Sequence, residues 1–128
     1  ASILIVDDED LVRMATAEML REMGHSVIEA ASGSAALHRL SAGEEIDLLI
    51  TDYLMPGMRG SELVEDAQTL RPGLPVLLLT GYANLAKGEA AGLPRLSKPF
   101  READLAHAVA ALLTEGQPAR GKPRLRSV

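Results

Sequence analysis

Residues 3 to 10 read Ile3-Leu4-Ile5-Val6-Asp7-Asp8-Glu9-Asp10, four aliphatic side chains followed without a break by four carboxylates. The apolar run is too short for a helix and does not alternate with polar residues, so it reads as a strand buried on both faces, the habit of parallel sheets under helices. The carboxylates then stand at that strand's carboxyl end.

Two further runs share this character, Leu48 to Ile50 and Val76 to Leu79, while Val27-Ile28 and Leu93 to Ser97 read as weaker strands. Between them lie segments with helical spacing: Val12, Ala15, Met19 and Met23; Ala36, Leu37 and Leu40; Leu63, Ala67 and Leu70. Asp10 is a good N-cap and Gly24 a good stop for the first helix, and Gly33-Ser34, Gly60-Ser61 and Arg71-Pro72-Gly73 punctuate the later elements. Asn84 to Ala91 reads as a short or irregular fourth helix, with Gly88 inside it. A last helix starts after Pro99 and runs on Leu105, Ala108, Val109 and Leu112. Five strand and helix units of this length predict an α/β fold, a doubly wound parallel sheet with helices on both faces.

Composition agrees. Of 128 residues 47% are hydrophobic, yet there is one Phe, two Tyr and no Trp, so the core is expected to be aliphatic. The length suits one domain, placed at residues 1–113, followed by a flexible basic tail at 114–128 with no apolar period. Residues 1–113 carry nine Lys+Arg against 17 Asp+Glu, net −8, and the tail four against one, net +3. An acidic body argues against direct nucleic-acid binding. Cysteine is absent, which excludes disulfides and thiol chemistry. No run approaches the roughly 18 apolar residues of a membrane span, so a cytoplasmic location is the expectation.

In open α/β sheets ligands bind beyond the carboxyl ends of the strands, so the residues that follow each strand carry the functional reading. These are Asp7 and Asp8, Asp52, Thr80 and Lys98. If the first and third strands are neighbours, about 4.8 Å apart, Asp7, Asp8 and Asp52 converge. Carboxylates that close raise one another's pKa, and an oxygen-loving divalent cation, best Mg²⁺ with Mn²⁺ as a substitute, relieves the repulsion. With Lys98, a threonine hydroxyl and a spare carboxylate, the rim is equipped for phosphoryl chemistry with an aspartate as nucleophile.

These residues together resemble the receiver domain of bacterial two-component response regulators over about residues 2–113. The resemblance is carried by Ile3 to Glu9, by Asp47-Leu48-Leu49-Ile50-Thr51-Asp52-Tyr53-Leu54-Met55-Pro56-Gly57-Met58, by Leu78-Leu79-Thr80-Gly81-Tyr82-Ala83 and by Lys98-Pro99-Phe100. It implies a flavodoxin-like (βα)5 fold with strand order 2-1-3-4-5, an order that a member of this family itself illustrates and that the pattern alone does not supply. It implies Asp52 as phosphoacceptor from a histidine kinase or phosphotransfer protein. Asp8, Asp52 and the Leu54 carbonyl would hold Mg²⁺, with Asp7 helping through water. Lys98 and Thr80 would contact the phosphoryl oxygens, the Lys98-Pro99 bond would be cis, and the conformational switch would signal to a partner. Such a domain phosphorylates and dephosphorylates itself and is not a conventional turnover enzyme; a weak homodimer is compatible with it.

Two features depart from the pattern. Arg95 stands where many receivers carry a switch aromatic in the fifth strand, which leaves Tyr82 as a substitute reporter, and Thr80 and Lys98 are only 18 positions apart. The short segment between them and Leu93-Pro94-Arg95-Leu96-Ser97-Lys98-Pro99-Phe100 resemble receivers fused to, or paired with, hybrid sensor histidine kinases. No DNA-binding effector domain is expected after the last helix, and the sequence suits an excised domain as well as a free-standing regulator. Two rival readings exist. One is a degenerate receiver acting as an unphosphorylated binding module. The other is a phosphatase of the haloacid-dehalogenase type with Asp8 as nucleophile in Asp8-Glu9-Asp10-Leu11-Val12, which lacks chain for a cap and a second acidic pair and leaves Asp52 unexplained.

Overall fold

A computed structural model describes residues 1–53, 55, 57–81 and 93–116. Among them the elements run β1 (Ser2–Val6), α1 (Asp10–Glu22), β2 (Ser26–Ala30), α2 (Gly33–Ser41), β3 (Leu48–Asp52), α3 (Gly60–Leu70), β4 (Val76–Thr80), β5 (Arg95–Ser97) and α4 (Glu102–Gly116). The strands form one parallel sheet in the order β2-β1-β3-β4-β5. The short or irregular helix expected over Asn84 to Ala91 lies outside the described residues. The boundary drawn at residue 113 falls inside α4, which continues to Gly116.

Side chains alternate between two layers that are both covered by helices, which explains the unbroken aliphatic runs Ile3 to Val6, Leu48 to Ile50 and Val76 to Leu79. Leu4 and Val6 of β1, Leu49 of β3 and Val76 and Leu78 of β4 face one layer with Ala36 and Leu40 of α2 and Leu63, Val64 and Ala67 of α3. Ile3 and Ile5, Leu48 and Ile50, and Leu77 and Leu79 face the other, with Ala17 and Leu20 of α1 and Leu105 and Val109 of α4. Each fully buried side chain of this size contributes about 1.5–3 kcal/mol relative to exposure.

The face of α1 differs from expectation. Thr16, Ala17 and Leu20 are its buried residues, and Val12 and Ala15 are exposed. Met19 and Met23 pack only at the margin of the core. Val12, Ala15 and Met19 instead line an open groove against Pro99 and Phe100. The two stripes are neighbours on the helix, and Thr16 and Ala17 are too weakly apolar to mark the inner one by hydropathy. Asp10 is likewise not the cap: Glu9 occupies that position, and Asp10 is the first helical residue, paired with Arg13 at 2.9 Å.

At the other end of α1 the Gly24 stop holds. Its φ of +99° lets the Gly24 N–H reach the Arg21 carbonyl and the His25 N–H the Leu20 carbonyl, a Schellman closure. His38 and His107 are exposed as expected, whereas His25 is half-buried with its Nδ1 enclosed.

Candidate functional site

The register of β1 on β3 pairs Val6 with Thr51, so one step further Asp7 lies beside Asp52. Asp7, Asp8 and Asp52 each present a carboxylate oxygen within 4.8 Å of the others. Their environments differ: Asp7 is 0% and Asp52 7% exposed, while Asp8 opens to solvent.

Asp7 is held from several directions. Its N–H donates to the Ala30 carbonyl at 3.1 Å, and its Oδ1 accepts from the Glu9 N–H at 3.0 Å. Its Oδ2 is buried without a hydrogen-bond partner, 3.6 Å from the Lys98 ammonium. Lys98 lies closer to Asp52, with Nζ 3.0 Å from Oδ1. Its backbone N–H donates to the Thr80 carbonyl at 2.7 Å, which ties the start of the β5–α4 connection to the end of β4. The Lys98–Pro99 peptide is cis. Thr80 is 4% exposed and stands one residue past Leu79, the register partner of Asp52.

Among the described residues, three carboxylates meet one ammonium here, which leaves the rim negative. Burial pushes the Asp52 carboxyl up from its ordinary pKa, and Asp7 and Asp8 push the same way, against the pull of Lys98. For Lys98 burial lowers the pKa, but the hydrogen bond and charge of Asp52, with the charges of Asp7 and Glu9, carry it above the ordinary lysine value. An enclosed carboxylate oxygen without a hydrogen bond, beside a solvent-open carboxylate, suits a hard divalent cation that keeps part of its water shell, as Mg²⁺ does. Leu54 and Tyr82 lie outside the described residues.

Three contributors escaped the sequence reading. Gly60 opens α3 against the end of β3, with its N–H donating to the Tyr53 carbonyl at 2.6 Å. A Cβ there would stand 2.7 Å from the Asp52 carbonyl oxygen and 2.9 Å from Tyr53 Cα, so only glycine lets the helix start this close to Asp52. Arg13 and Glu29 form the other pair: Arg13 Nη1 donates to the Asp7 carbonyl at 2.8 Å and its Nε to Glu29 Oε1 at 3.0 Å. A charge inside the short β2 run was the only available signal for Glu29.

Residues 3–110 match the family described as the response regulator receiver domain. The chain is 37% identical over 120 residues to the sensor kinase CckA of Brucella abortus, covering 88% of this chain and 12% of the kinase. It is 34% identical over 115 residues to the response regulator receiver protein CpdR of the same organism, covering 87% of this chain and 95% of that protein. Among solved structures, a response regulator receiver domain protein from Clostridium thermocellum superposes with a TM-score of 0.86 at 27% identity, covering 93% of this chain and 98% of that one.

Proposed function

The chain belongs to the response regulator receiver family of two-component systems, and from that premise we propose that Asp52 accepts a phosphoryl group from a phosphohistidine in a Mg²⁺-dependent reaction. The observation that carries this reading is the convergence of Asp7, Asp8 and Asp52 within 4.8 Å, with Lys98 Nζ 3.0 Å from Asp52 Oδ1. An Asp52 oxygen forms the new O–P bond while the P–N bond of the donor breaks, and the imidazole nitrogen keeps the electron pair and takes up a proton. The Lys98 ammonium is placed to move from Asp52 Oδ1 onto a phosphoryl oxygen, and the Thr80 hydroxyl, at the end of the neighbouring strand, to donate to another.

Asp8 and Asp52, with Asp7 behind them, are the carboxylates that would hold Mg²⁺, and the Leu54 carbonyl is proposed as a further ligand. The cation would supply charge neutralisation at the phosphoryl oxygens. Asp8 as nucleophile fits less well, because Lys98 is paired with Asp52 and Asp7. A sensor histidine kinase or phosphotransfer protein is the proposed donor, in the cytoplasm. No helix among the described residues is long and apolar enough to cross a membrane.

Incubation with acetyl phosphate, read by intact mass, tests the reading. One added phosphoryl group is expected in MgCl2, none in chelator and none in Asp52→Asn. Full labelling of Asp52→Asn, or no labelling by acetyl phosphate or any histidine phosphodonor, contradicts it.

A further inference from the structure

Arg13 is a helical residue one turn from the rim, yet its side chain is only 12% exposed and none of the chemistry above uses it. Its guanidinium spans two elements. Nε donates to Glu29 Oε1 on β2 at 3.0 Å, and Nη1 donates to the Asp7 carbonyl at 2.8 Å and lies 2.9 Å from Asp10 Oδ1. Glu29 is a firm anchor: its other oxygen accepts from Arg21 at 3.3 Å, and its strand is in register with β1, with Glu29 opposite Ile5.

The Asp7 carbonyl belongs to the peptide that joins Asp7 to Asp8. The orientation of that peptide sets the direction in which the exposed Asp8 side chain leaves the backbone. The Asp7 N–H and Oδ1 are fixed by Ala30 and Glu9, and Arg13 supplies the remaining tether, on the carbonyl. It is a charged bond in a negatively charged turn, and planar fork geometry lets one guanidinium hold Glu29 and the carbonyl together.

We propose that Arg13 is a positioning residue of the cation site, anchored on Glu29 and gripping the Asp7 carbonyl so that the Asp7 and Asp8 carboxylates stay aimed at Asp52. The proposal rests on reading the cluster as a Mg²⁺ site, and it gives β2 a second hold on that site, through Glu29 as well as the Ala30 carbonyl. An ammonium at the end of a flexible stem cannot reproduce the fork, so charge alone does not substitute for it.

Mg²⁺ affinity, measured by isothermal titration with MgCl2 on the full chain, tests it without reference to phosphorylation. Arg21 provides the control, since it donates to Glu29 and to the Val27 carbonyl without touching Asp7. Arg21→Lys is expected to bind Mg²⁺ within about twofold of wild type, and Arg13→Lys about 10-fold or more weakly, the usual scale for residues that orient metal ligands. Glu29→Gln, which leaves Arg13 in place but weakens its anchor, is expected to fall between them. It carries the test if metal-free thermal melts show Arg13→Lys unfolded. Affinities for folded Arg13→Lys and Glu29→Gln within about twofold of wild type overturn the positioning role and leave the cation reading intact. Failure of the wild type itself to bind Mg²⁺ overturns both.

Discussion

The bodies of β1, β3 and β4 and the ends of the same strands obey opposite rules. Within the strands every residue from Ile3 to Val6, Leu48 to Ile50 and Val76 to Leu79 is buried and aliphatic. Just beyond them stand Asp7, Thr51 with Asp52, and Thr80, also enclosed but polar. The interior is stabilised by burial, while the rim places like charges together, with Lys98 against them among the described residues. Stability is generated in the strand bodies and partly given up at their ends, where binding and chemistry would use it.

The largest stability effect expected lies in the bodies. Leu49→Ala, at a fully buried site between β1 and β4, should lower unfolding free energy by about 2–5 kcal/mol in urea titrations. Phosphorylation by acetyl phosphate per folded molecule should persist. Next is the junction between the regions. Gly60→Ala forces a Cβ onto the Asp52 carbonyl oxygen and should lose about 1–3 kcal/mol. Unlike Leu49→Ala, it should also slow labelling of the folded fraction, because the α3 start and the Asp52 backbone move apart.

At the rim the sign reverses. Asp7→Asn keeps an oxygen to accept from the Glu9 N–H but removes a buried negative charge beside Asp52 and Asp8. The metal-free protein should melt no lower than wild type, and the rise in melting temperature that MgCl2 gives wild type should shrink. A clear drop in metal-free stability would show that Asp7 is held mainly by Lys98 and is not a strained cation ligand.

The smallest effect is the pH dependence. The Asp52 pKa is raised in the fold, so above that pKa the ionised carboxylate opposes folding, and the penalty is relieved as pH falls through the folded pKa towards the ordinary carboxylate value near 4. Lys98 is raised too, so its contribution is full below the ordinary lysine pKa near 10.4 and is lost as pH rises through the higher folded value. Metal-free melts should reveal the first trend in wild type and its absence in Asp52→Asn.

The strands and the rim were legible because both rest on local signals. Unbroken aliphatic runs too short for a helix and bounded by polar residues read as doubly covered strands, and the polar residues after each run mark the edge. The strand order came from the resemblance, and the sheet has it. The face of α1 was misread because the Val12, Ala15, Met19 stripe is more apolar than the Thr16, Ala17, Leu20 stripe that packs inward. The more hydropathic stripe borders a groove instead of the core. Gly60 looked like loop punctuation, since a steric role beside Asp52 exists only once α3 is packed. Arg13 and Glu29 are 16 positions apart and meet only because β2 lies beside β1, so no spacing rule could pair them.

On the proposed function, the crowded carboxylates at the sheet edge serve a phosphoacceptor at Asp52. Borohydride reduction of protein labelled by acetyl phosphate in MgCl2 converts an aspartyl phosphate to homoserine, which peptide sequencing by mass spectrometry can place. Homoserine at position 52, absent when the cation is chelated, is the predicted result. Homoserine at position 8, or at no position despite a folded protein, would contradict it.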